Sequence, residues 1–125
     1  MNKVNIFELE GMEFPAGRRT RVLLGENGAI KGEYYCQGYS VVYPGGCIPQ
    51  HEHPTVESYT ILRGEGEISV DGETLPARSG DYVYIEKNKS HSLKNTGAED
   101  MHVMFVYAPN IVVDHWAQEK EGTLK

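Results

Sequence analysis

Short apolar runs separated by turn signals recur from residue 19 to residue 108, and this rhythm restricts the chain to an all-β sandwich or barrel. Valine and tyrosine dominate the runs, and glycine, present 14 times, marks many of the breaks. Strands are expected near 19–24, 34–43, 47–53, 58–62, 66–70, 73–76, 81–85, 91–95 and 102–108. Pro44-Gly45-Gly46 breaks one run, Arg63-Gly64-Glu65-Gly66 joins two others, and Asp71-Gly72 is a tight hairpin signal. The first ~15 residues fit either an extra edge strand or an arm exchanged between subunits. Only 114–121 suggests a helical turn or two, with Asp114 an acceptable N-cap. No internal repeat or low-complexity segment interrupts the pattern.

A chain of 125 residues fits one domain. Its formal net charge is −6, and its Lys and Arg residues are scattered. Nucleic acid is therefore not expected as a partner, because a phosphate backbone needs a basic face. No stretch approaches the ~20 apolar residues of a membrane span. The N-terminus lacks the apolar core of a signal peptide, so a cytoplasmic location is expected. Cys36 and Cys47 are too few for a disulfide scaffold. Reduced thiols are the default for them, with a Cys36–Cys47 bridge the alternative.

Within this framework His51, His53, Glu57 and His91 carry the chemistry. His51-Glu52-His53 is followed at Glu57 by a carboxylate, and His91 lies 34 positions beyond that. Three imidazoles and a carboxylate suit a divalent transition metal. Side chains at i and i+2 of a strand share a face, so His51 and His53 are expected to point the same way. Pro54 and Thr55 favour a turn, which lets Glu57 open the next strand beside the pair. His91 must arrive from elsewhere in the sheet.

The flanking residues resemble the cupin superfamily. Its first motif is read in Gly45-Gly46-Cys47-Ile48-Pro49-Gln50-His51-Glu52-His53-Pro54-Thr55-Val56-Glu57-Ser58-Tyr59-Thr60-Ile61-Leu62-Arg63-Gly64. The leading Gly, both His, the Glu and the closing Gly fall in register. The second is read in Gly80-Asp81-Tyr82-Val83-Tyr84-Ile85-Glu86-Lys87-Asn88-Lys89-Ser90-His91-Ser92-Leu93-Lys94-Asn95, where Gly80, His91 and Asn95 match. Glu86 stands where the family usually has Pro, and Asn88 where it usually has Gly. Asn tolerates a left-handed backbone better than most residues, so the turn can survive. The resemblance spans about 35–108, leaving an N-terminal arm 1–34 and a tail 109–125 around one domain, 1–125.

The resemblance implies a double-stranded β-helix, a jelly-roll barrel with its metal inside near one mouth. It also implies a homodimer, and a function among isomerases, epimerases, lyases, decarboxylases, dioxygenases and non-catalytic sensors or storage proteins. The ion would be Zn, Mn, Fe, Ni or Cu, which the ligand set alone does not separate. As a Lewis acid it would orient a small carboxylate, hydroxyl or carbonyl substrate and stabilise an enediolate or similar anion. The alternative is a non-catalytic module that binds a metal and a small ligand. A metal-free epimerase would not require Glu57 beside two paired histidines. Because metal needs neutral imidazoles, occupancy is expected to fall as pH drops through the histidine range near ~6.

Other residues carry two readings each. Tyr59 shares the face of Glu57, as core packing or as a phenol that moves a proton. His102, on the last strand, is a second acid–base candidate. Tyr35, Tyr39 and Tyr43 form one stripe, and Tyr82 and Tyr84 another; these are core or interface unless one lines the cavity. Arg19 and Arg21 face away from Arg18, as a solvated edge or a carboxylate clamp at the mouth. Cys47 reads as a small buried hydrophobe, and His115 with Trp116 as a docking contact or cap.

Overall fold

The fold is described by a computed structural model, which covers residues 1–110, 114–122 and 124, with the side chains of 114 and 115 left aside. Among the described residues, ten strands and one helix follow in order. They are β1 (Met12–Phe14), β2 (Arg18–Leu24), β3 (Cys36–Val42), β4 (Cys47–His51), β5 (Val56–Arg63), β6 (Glu65–Val70), β7 (Glu73–Arg78), β8 (Tyr82–Ile85), β9 (His91–Asn95), β10 (Met101–Ala108) and α1 (Asp114–Glu121). A short 3-10 turn, Ile6–Glu8, precedes them. The strands form two antiparallel sheets, β1-β2-β3-β10-β5-β8 and β4-β9-β6-β7. This is the all-β barrel expected from the run-and-turn pattern, and the helix occupies the expected segment. The N-cap role of Asp114 and any contact of His115 lie outside the described residues.

Burial alternates along β10: Met101, Val103, Phe105 and Tyr107 face inward and the residues between them face out. With β3 on one side and β5 on the other, β10 is central to the larger sheet. Ile61, Val42, Val103 and Met101 from that sheet meet Leu93, Ile68 and Ile48 from the smaller one in a single core. Gly38 on β3 is required by this packing. A Cβ there would stand 2.3 Å from Cζ of Phe105.

Asn95 fastens the sheets. Its amide donates to the carbonyls of Val42 and Glu99, both at 2.8 Å, and its Oδ1 accepts the Gly97 N–H. The matched Asn of the second motif is thus a structural clasp.

Several expectations shift. The strand expected over 47–53 ends at His51, so His53 lies in the connection to β5. The N-terminal segment contributes β1 as an edge strand paired to β2. Ahead of it, the Leu9 carbonyl accepts from Arg21 Nε, and Phe7 stacks edge-on against Tyr39. Tyr39 lies on the outer face of β3, because Cys36, Gly38 and Ser40 take the inner one, and Tyr43, just past the strand, bonds Glu13 with its hydroxyl. That stripe does not line the cavity. Tyr82 and Tyr84 are exposed on β8, at the sheet edge. Cys36 and Cys47 are free thiols, on strands of different sheets. Among the described residues no helix is long and apolar enough to cross a membrane.

Candidate metal centre

One end of the barrel brings together the four residues singled out by spacing. His51 ends β4 and His91 begins β9, and the two are direct cross-strand partners. Glu57 comes from the other sheet, on β5, flanked by Ile85 on β8 and Tyr107 on β10. His53 sits in the β4–β5 connection, where its carbonyl accepts the Asn88 N–H at 2.9 Å. Asn88 adopts φ +62°, so the left-handed turn survives without glycine and braces the loop that carries His53.

The donor atoms of these four side chains all lie within 4.8 Å of one another, and all four residues are buried. Ring centroids are 4.2 Å apart for His51 and His91, 5.1 Å for His53 and His91, and 5.3 Å for His51 and His53. Each imidazole is anchored from behind. His51 Nδ1 donates to the Pro49 carbonyl at 2.6 Å, and His91 Nδ1 to the Lys89 carbonyl at 2.8 Å. His53 Nδ1 meets the Thr55 hydroxyl. Such contacts fix the tautomer and ring orientation of metal-binding histidines.

The fronts of two rings face the acid. Nε2 of His91 and of His53 stand 3.0 and 3.2 Å from the same Glu57 oxygen, Oε1. A neutral imidazole has one N–H, and that of His91 is committed to the Lys89 carbonyl. Its Nε2 lone pair would then confront a carboxylate oxygen, two acceptors in contact. A positive charge resolves this, either a proton on the ring or a cation shared by both atoms.

Burial pushes the Glu57 carboxyl up, but hydrogen bonds and charge from His53 and His91 outweigh it and hold the group below its ordinary range. Burial, reinforced by His91, pushes His51 down to about 3. His51 is therefore neutral near pH 6, the form in which an imidazole can bind a metal.

Tyr59 lies on the face of Glu57, 6.0 Å from the His91 ring, and is fully buried. Burial, then the Glu57 charge, pushes its phenol well above the usual tyrosine value, so it stays protonated. His102 is not brought to the cluster. Its position on β10 is out of phase with Phe105 and Tyr107, so it faces the outer side, where Nδ1 meets the Tyr39 hydroxyl at 2.6 Å.

Beside the cluster lies a small cavity with room for about 20 Å³, lined by Arg18, Thr20, Ser40, His51, Tyr59 and Trp116 among others. Arg18 is the residue that sequence reading misses. Arg19 and Arg21 do face the other way, tied to Glu13, Glu10 and Leu9. Arg18 points inward and is 1% exposed. Tyr107 is missed as well; its ring sits 6.0 Å from that of His53. Parity along β10 identifies Tyr107 only once its pairing with β5 is known.

Comparison with known proteins agrees with this architecture. The family model described as "Cupin domain" matches residues 38–107. The "Oxalate-binding protein" of Thermotoga maritima is 36% identical over 64 residues, covering 50% of this chain and 53% of that protein. "Polyketide synthase CurC" of Streptomyces cyaneus is 32% identical over 73 residues, covering 58% and 47%. The chain thus spans about half the length of these curated relatives. The crystal structure of a "predicted oxalate decarboxylase" from Thermotoga maritima aligns with a TM-score of 0.65 at 28% identity, covering 72% of this chain and 78% of that one.

Proposed function

The chain belongs to the cupin family, and from that premise we propose that it binds one divalent transition-metal ion at His51, His53, Glu57 and His91 and acts on a small oxygen-bearing acid. The observation that carries this reading is the contact between His91 Nε2 and Glu57 Oε1, two groups whose other bonds leave a positive charge to be supplied between them. The donor set suits the ion: three anchored imidazoles and a carboxylate held ionised in a buried site.

An ion held there supplies Lewis acidity toward a carbonyl, hydroxyl or carboxylate oxygen. The chain's own residues do the rest. The two sheets hold the four residues, Phe105, Ile48 and Trp116 form the apolar part of the adjoining wall, and Tyr59 offers a protonated phenol beside them. Tyr59 is therefore the residue proposed to donate a hydrogen bond to a bound anion. His102 has no part, since it faces the outer side of the barrel.

A second reading is a binding module without turnover. The small cavity and the likeness to a protein named for binding oxalate favour it. Metal-loaded protein incubated with oxalate and with small keto and hydroxy acids separates the two. A product that forms with metal and disappears with a chelator supports an enzyme. Saturable binding with the acid recovered intact supports the module. Neither turnover nor binding in metal-loaded protein overturns the proposal.

A further inference from the structure

Arg18 lies inside the barrel, and its partner comes from the far end of the chain. Its guanidinium engages both carboxylate oxygens of Glu119 on α1, through Nη1 to Oε1 and through Nη2 to Oε2 at 2.7 Å. Both side chains are essentially inaccessible. From behind, the Arg18 guanidinium is stacked on the Phe14 ring, 4.2 Å from its centroid. Its Nε is buried without a hydrogen-bond partner among the described residues.

A buried ion pair is poor value as mere glue, because apolar side chains of equal volume often stabilise a core as well or better. The wall on which Arg18 stands is the wall of the cavity that also contains His51, Glu57 and Tyr59. Its polar neighbours there are Thr20 and Ser40, bonded to each other at 2.9 Å. The planar fork that grips Glu119 is the geometry by which arginine grips any carboxylate.

The cavity as it stands accommodates about one water, not a substrate. The element over it is α1, whose Trp116 meets Phe105 and Tyr107 edge-on at 6.1 and 6.2 Å. Trp116 and Glu119, three residues apart, share one helix face. An eight-residue helix is too short to be stable alone, so its position depends on these contacts.

We propose that Arg18 is the binding residue for a carboxylate of the substrate, and that Glu119 is an internal stand-in that occupies Arg18 until the substrate displaces it. The inference rests on the metal reading above. The substrate class becomes a small acid with two ends: an oxygen group at the cation and a separate carboxylate at Arg18. Binding would exchange one carboxylate for another at Arg18 and lift α1 from the mouth.

Trp116 is the chain's one tryptophan, so its emission reports on α1 directly. The probe is malonate, titrated into Mn2+-loaded full-length protein, with metal content measured in every variant. In wild type, saturating malonate should shift the emission to the red. Glu119→Gln should bind malonate about tenfold more tightly, because the internal competitor is gone. The double variant Arg18→Gln/Glu119→Gln retains a neutral pair. It should keep its metal and lose malonate affinity by at least about tenfold relative to Glu119→Gln.

Equal malonate affinity in wild type and Glu119→Gln, with metal retained in both, would overturn the inference and leave the metal site standing. Wild-type protein that takes up no metal would overturn the metal reading instead. If Glu119→Gln does not fold, wild type and the double variant decide. A malonate-induced shift of equal size and midpoint in both, or in neither, defeats the proposal.

Discussion

His91 Nε2 and Glu57 Oε1 meet at 3.0 Å across the barrel, from opposite sheets and 34 residues apart in the chain. Because His91 Nδ1 is already bonded to a backbone carbonyl, the contact requires a positive charge, either a proton on the ring or a cation shared by ring and acid. A shared cation also meets the other donors of the cluster, since those of His51, His53, Glu57 and His91 all lie within 4.8 Å of one another.

The Thr55 hydroxyl holds His53 by its Nδ1. Thr55→Val keeps the volume and removes the anchor. Metal affinity should fall about 10- to 100-fold, as for other outer partners of metal-binding histidines. Competition with a chromophoric chelator measures this, and unchanged affinity would show that the loop alone orients the ring.

His51 links stability to pH in the metal-free protein. Unfolded, it takes a proton near its ordinary value of 6.5; folded, only near about 3. Between those values the unfolded chain binds more protons, so stability falls as pH drops through that window and is insensitive to His51 above it. Urea unfolding at pH 7, 5 and 4 should show a steeper decline for wild type than for His51→Gln. Parallel declines would remove His51 from the account.

Leu93 is wholly buried where β9 faces the larger sheet. Leu93→Ala should cost about 2–5 kcal/mol by opening a cavity in the one core both sheets share. Denaturant unfolding checks this, and a loss well below that range would mean that the sheets collapse to fill the space.

The homodimer that the family resemblance implies is proposed here as well. Tyr82 and Tyr84 are 65% and 57% exposed on β8, an edge position where large aromatics suit a partner surface better than water. Sedimentation equilibrium should give twice the chain mass of 14.0 kDa, and Tyr84→Asp should shift the protein toward monomer. A monomer at micromolar concentration would contradict it.

Much of the fold and of the candidate metal centre is legible in the sequence. Apolar runs and glycine-bearing turns locate nearly every strand, and ligand spacing assembles His51, His53, Glu57 and His91. Strand direction is harder, because the sequence of β10 does not say which of His102 and Tyr107 looks inward. Pairing with β3 and β5 decides that. Arg18 is harder still. Its inward position follows from parity against Arg19 and Arg21, but its role depends on Glu119, 101 residues away on a helix that local pattern leaves undirected. Contacts of that range are a product of the assembled fold.

The most direct test of the central claim is metal content. Protein purified without an affinity tag, and its His53→Ala and His102→Ala variants, are analysed for Zn, Mn, Fe, Ni and Cu. Wild type and His102→Ala should each carry close to one ion per chain, while His53→Ala should carry almost none and melt at a lower temperature. Equal metal content in wild type and His53→Ala would contradict the account.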